Sequence, residues 1–161
     1  MRCSKTVKQP RQFSAYICGP LTELPQEAQE PIKLIYSLIG DLCQQALGIR
    51  GFVPHEHNDP VRHAKRTPKQ VDRQERCQVT TSSSCLILLT IAPSWGGGIE
   101  AEMANNSGVP IILLRQNWKQ KPRRVSRLLL GNPAVKAIVN FETYPQLFKK
   151  LQRILPKIAR P

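Results

Sequence analysis

The eight residues CLILLTIA, Cys85–Ala92, constrain the fold of this chain more than any other stretch. A run apolar at nearly every position offers no polar face to water. It is therefore expected to be a strand covered on both sides, as in parallel sheets flanked by helices. VPIILL, Val109–Leu114, is a second such run, and around the two the pattern alternates. FSAYICGP begins as a short first strand and ends in a Gly-Pro turn. From Pro31, the apolar residues Ile32, Ile35, Leu38, Ile39, Leu42 and Cys43 recur at helical spacing, with Pro31 suited to a first turn and Gly48 to a stop. GFVP reads as a second strand, PKQVDRQERCQVTTSSS as a helix fraying into serines, and Ile99 to Ser107 as a short helix. VSRLLLGN is another short helix, AIVNF a strand, and YPQLFKKLQRILPKI a closing helix.

Strands alternating with helices predict one α/β domain, a Rossmann- or flavodoxin-like sandwich with a mostly parallel five-stranded sheet. At 161 residues the chain buries a sizeable core without staples. Residues 1–12 form a basic tail, expected to be disordered, and 13–161 the domain. Five widely spaced cysteines with no C-x-x-C pair read as reduced thiols, and the start lacks the apolar segment of a secretory signal, so a cytoplasmic protein is expected. No apolar run approaches the length that crosses a bilayer, and no membrane partner is expected. The formal charge of +13 favours anionic partners, from nucleotides to nucleic acid, unless its runs are simply solvated faces. There is no aromatic-interleaved basic motif or helix-turn-helix pattern, so any nucleic-acid binding should be non-specific.

Sheets of this kind bind ligands at the carboxyl ends of their strands, near the switch in strand order. Two turns have that address, YICGP after the first strand and PSWGGGIE after LILLTIA. Three glycines ahead of a carboxylate mark either a tight turn or a place where something must approach the backbone closely. A helix starting just after them would aim free N–H groups at an anion.

AYICGPLT, LILLTIA and PSWGGGIEAEMANNSGVPIILL together resemble the nucleoside 2-deoxyribosyltransferase family, which includes the 2′-deoxynucleoside 5′-monophosphate N-hydrolases. Tyr16 to Pro20 is similar to its strand-end Tyr-x-x-Gly-Pro, and Glu100, Ala104 and Pro110 to its glycine-preceded Glu with Ala four and Pro ten residues later. The resemblance implies an enzyme without a cofactor, acting on a nucleoside or nucleotide and assembled as a dimer or larger. Glu100 would attack C1′ of a 2-deoxyribonucleoside or its monophosphate, expel the base and form a deoxyribosyl ester, later released by water or a second base. A carboxylate suits that role, since it stabilises an oxocarbenium-like centre and forms glycosyl esters. Tyr16 would hold the nucleophile, and Gly19, Pro20, Ser94, Gly96 and Gly98 would line the substrate site. Ser94 stands where the transferases carry Asp, which is closer to the monophosphate hydrolases, whose Ser helps bind the 5′-phosphate. The first turn, GPLTEL, lacks those hydrolases' basic residue and glycines.

Glu102 competes with Glu100, but two residues apart on a helix they point to different faces. The family's second acid is displaced. Counted back without gaps, its place is taken by Arg76, and Asp72 lies one turn earlier. Asp72 then either serves as general acid or base after a shift of the helix, or forms a surface ion pair with Arg76. The polar stretch HEHNDPVRH reads as a loop over the pocket, with His55 or His57 near base or sugar, or else as a simple turn. It has no H-E-x-x-H spacing, and no metal is expected. Three functions remain open: N-glycosidic cleavage or transfer, an inactive nucleotide- or nucleoside-sensing module, and a basic nucleic-acid-binding protein.

Overall fold

Burial on both faces of LILL sets the architecture. In the computed structural model, which describes residues 15–118, 121–122 and 125–159, this segment is the wholly buried strand β2 (Leu86–Leu89) at the middle of the sheet. It pairs in parallel with β1 (Tyr16–Cys18) on one side and β3 (Ile111–Trp118) on the other, and β5 (Val135–Phe141) adds in parallel beyond β3. The expected tail at 1–12 lies outside the described residues.

Side chains alternate along each strand, so each strand feeds two cores. Ile17, Ile87, Leu89, Ile112 and Leu114 pack beneath α1 (Gln26–Leu47) and α6 (Tyr144–Ile158), against Ile39, Leu147 and Leu151 among others. Tyr16, Cys18, Leu86, Leu88, Ile111 and Leu113 face the opposite side, where Val79 and the Ala101, Met103 and Ala104 stripe of α4 (Trp95–Asn106) cover them. Both cores are mostly aliphatic, with Tyr36 and Phe141 in the first and Tyr16 and Phe52 in the second, and a fully buried Val, Leu, Ile, Phe or Met side chain contributes about 1.5–3 kcal/mol.

Four local outcomes differ from expectation. GFVP adds a single parallel bridge, Phe52 to Tyr16, instead of a strand. Pro54 opens α2 (Pro54–Asn58) directly afterwards, leaving no residue to extend the ladder. The fifth strand is β4 (Lys121–Pro122), which folds back antiparallel on the end of β3. α1 begins after Pro25, so Pro31 lies inside the helix, where its missing N–H forgoes one early backbone bond. Gly48 does end that helix, at φ 80°, its N–H donating to the Gln44 carbonyl at 3.0 Å. Finally, HEHN is helical, because Glu56 is held by the Arg50 guanidinium (2.6 Å) and accepts from the Ser37 hydroxyl (2.9 Å).

Counting the Phe52 bridge as a row, the order is Phe52, β1, β2, β3, β5. The chain crosses to one side of β1 first and to the other side afterwards, so the switch point falls between β1 and β2. α3 (Pro68–Cys77), started by a Thr67–Gln70 capping box, runs toward that point and passes into a π turn, Gln78–Ser82, before β2. The short α5 (Arg127–Leu130) lies between β4 and β5. Among the described residues no helix is long and apolar enough to cross a membrane.

Candidate active site

The two turns at the switch point meet at Glu100. Tyr16, fully buried and stacked on Phe52 at 5.6 Å, donates its phenolic O–H to Oε1 of Glu100 at 2.6 Å. Such a short contact to a carboxylate is charge-assisted and strong. Glu100 is itself only 8% exposed, on the face of α4 turned to the sheet. Burial pushes its carboxyl up to about 7. The Tyr16 hydrogen bond and a contact with the Cys18 thiol oppose the rise, and the neighbouring Glu75 adds to it. Burial, with the Glu100 charge alongside, holds both the Tyr16 phenol and the Cys18 thiol well above their ordinary values, so both remain donors.

The glycines of PSWGGGIE do not precede the helix; they are its first turn. Ser94 caps α4, its Oγ accepting the Gly97 N–H at 3.1 Å. Among the three, Gly97 is the one packing requires, since a Cβ there would lie 2.9 Å from Leu88 Cδ1. A Cβ on Gly96 or Gly98 would meet nothing within 4 Å. Gly96 borders the cavity at Glu100, whereas Gly98 faces a separate groove of about 630 Å3 on the far side of α4, with Leu128 and Leu129. Gly98 is thus not brought to the Glu100 site. At Gly19, φ is 156° and a Cβ would come within 2.8 Å of the Leu89 carbonyl oxygen, so glycine is required there. Pro20 is fastened behind it, its carbonyl accepting from Tyr36 Oη at 2.7 Å.

An inner cavity of about 210 Å3 opens in front of Glu100, bordered by Gly19, Ser94 and Gly96 and by His55 from α2. His55 is buried, and burial lowers its pKa, leaving a neutral imidazole at the wall. His57 turns away and stacks on Phe52 at 4.6 Å. An outer cavity of about 460 Å3 adjoins it, sharing Thr22, Asn58, Pro60, Glu75, Gly96 and Glu100 and reaching His63, Arg66 and Met103. Glu102 points out of both, bonding Asn105, Asn106 and Asn132. Among the described residues no three His, Cys, Asp or Glu side chains are grouped to hold a metal.

Asp72 borders only the outer cavity. Its half-exposed carboxylate is tied to Arg76 at 2.8 Å, the surface pair that the i, i+4 spacing allows. Glu75, which sequence reasoning missed, stands beside Glu100 instead. It is half-buried, borders both cavities and accepts from Asn58 Nδ2 at 3.0 Å, and burial raises its pKa. The π turn Gln78–Ser82, which carries one residue more than an α turn, lies between α3 and β2, and Glu75 stands one position before Arg76.

No family model and no curated protein matches the sequence. Solved structures with the same fold include two that align over nearly all of their own length. The CMP N-glycosidase BcmB of Clostridium botulinum aligns over 87% of this chain and 98% of its own, with a TM-score of 0.58 at 17% identity. BlsM, a solution structure, aligns over 95% of this chain and 98% of its own, with a TM-score of 0.58 at 18% identity.

Proposed function

We propose that the chain cleaves the N-glycosidic bond of a 2′-deoxynucleoside or its 5′-monophosphate through a deoxyribosyl ester on Glu100. The observation that carries this reading is the buried Tyr16–Glu100 hydrogen bond facing a cavity with a second carboxyl, Glu75, whose proton is retained more tightly than usual. The neighbouring fold of an enzyme named a CMP N-glycosidase lends support to glycosidic chemistry in this architecture.

In the proposed reaction the sugar occupies the inner cavity and the base the outer one. Tyr16 holds Oε1 of Glu100, leaving Oε2 to attack C1′. The C1′–O bond forms as C1′–N breaks, and the departing electron pair on the base nitrogen takes a proton from Glu75. Water then gives a proton back to the Glu75 carboxylate as its oxygen attacks C1′, and the ester bond breaks to restore the Glu100 carboxylate. Two displacements at one carbon retain configuration, as with paired carboxylates of glycosidases. Asp72, engaged with Arg76, has no part in the chemistry.

The test is incubation with deoxynucleosides, ribonucleosides and their 5′-monophosphates, CMP included, with chromatography for free base. Release by the wild type and none by Glu100→Ala is expected. Equal release by the two proteins would refute the nucleophile, and tight binding of these compounds without release by wild type would return the sensing module.

A further inference from the structure

The inner cavity has a charge opposite to that of the chain around it. With a formal charge of +13 overall, the protein lines this cavity with four carboxyl side chains, Glu23, Asp59, Glu75 and Glu100, and with no lysine or arginine. Asp59 is neutralised by Lys33 at 2.6 Å, while the other three form no salt bridge among the described residues. Glu23 is the one at the mouth. Its Oε1 accepts the N–H of Trp95, the first residue of α4, at 3.1 Å, and its Oε2 accepts from Leu21 N–H and the Thr22 hydroxyl, each at 3.3 Å. A helix N-terminus is the usual seat of a ligand's anionic group. Here that donor serves a carboxylate of the chain itself, brought from 72 residues earlier.

We propose that Glu23 is a specificity-determining residue that closes the site to phosphate monoesters, so that the substrate is the unphosphorylated nucleoside. This rests on the reading in which Glu100 attacks a nucleoside, and it narrows the substrate class. A 5′-phosphate would have to displace Glu23 from three donors and then lie beside its carboxylate and that of ionised Glu100, where like charges repel. A 5′-hydroxyl meets no such obstacle, because it donates a hydrogen bond to the Glu23 carboxylate where it stands. Arg66 is a competitor for a phosphate, but it borders the outer cavity, where its guanidinium donates to the His57 carbonyl at 3.3 Å.

The experiment compares kcat/KM for the four common 2′-deoxynucleosides and their 5′-monophosphates in wild type, Glu23→Gln, Glu23→Ala and Arg66→Ala at low ionic strength. Wild type is expected to prefer nucleosides. Glu23→Gln should narrow the preference roughly tenfold, mainly by raising monophosphate turnover, as removal of a partly screened like charge predicts. Added salt should narrow it in wild type and leave Glu23→Gln little changed. A wild-type preference for monophosphates, or the same ratio in all four proteins, overturns the proposal. So does a monophosphate activity that Arg66→Ala abolishes and the Glu23 variants leave alone. Calorimetric binding to Glu100→Gln separates the two levels of inference. Tighter binding of nucleosides than monophosphates without base release by any protein sustains the role of Glu23 while refuting catalysis, and binding of neither refutes both.

Discussion

Replacing Glu100 by glutamine should make the protein more stable at alkaline pH and catalytically dead. The carboxyl is buried and its pKa stands at about 7 against an ordinary 4.5. A folded-state pKa raised above the unfolded value means that the folded protein holds the proton more tightly. The associated stability is complete below about pH 4.5 and is lost as pH rises through about 7. At about 1.4 kcal/mol per pH unit, that gap costs the native state roughly 3 kcal/mol once the group is ionised. Glutamine has the same shape, accepts the Tyr16 hydrogen bond through its amide oxygen and carries no charge, so it escapes the cost. Urea denaturation of wild type and Glu100→Gln at pH 5 and pH 8.5 reads the difference directly. The variant should gain on wild type by roughly 2–3 kcal/mol between the two pH values, with base release abolished at both. A stability difference independent of pH, or a wild type that gains on the variant as pH rises, would refute the desolvated Glu100 carboxyl described at the switch point.

Tyr16→Phe removes a hydrogen bond that lowers the Glu100 pKa, so the acid limb of the pH–rate profile should move up by about one to two pH units, the worth of a hydrogen bond to a charged group; an unmoved limb would place ionisation of another group in control. Glu75→Gln should reduce turnover at least a hundredfold with a smaller effect on substrate binding, in the range lost with a general acid, whereas Asp72→Asn should stay within about threefold of wild type; reversed effects would transfer the proton-transfer role to Asp72. Gly97→Ala should destabilise by about 1–3 kcal/mol through its clash with Leu88, measured as a shift in denaturation midpoint, while Gly98→Ala, with open space and a better helix former, should stabilise by about 0.5–1 kcal/mol; equal effects would contradict the packing described at the head of α4.

Much of the fold was legible in the residues because the relevant signals are local. The unbroken apolar runs at Cys85–Ala92 and Val109–Leu114 have no polar face to expose, so a two-sided parallel sheet was their natural outcome, and the strands β2 and β3 lie there. Gly19 was readable as part of a Gly-Pro turn ending the first strand, while the Leu89 carbonyl and Tyr36 hydroxyl that a Cβ there would meet come from the fold. Tyr16 and Glu100 stood out in short motifs at strand ends, which is where this topology gathers its ligands. What tertiary structure decided lay in register and long-range encounter. The glycines of PSWGGGIE joined the helix because the Ser94 cap two residues before them satisfies the Gly97 N–H, an arrangement their composition does not favour. The π turn at Gln78–Ser82 joins α3 to β2, with Glu75 beside Glu100 and Asp72 left to Arg76, and no propensity marks the extra residue of a π turn. Glu23 acquired its partner at Trp95, and Glu100 its retained proton, only when segments far apart in the chain closed on one another and excluded water, because desolvation and contact belong to the assembled fold and to no stretch of sequence within it.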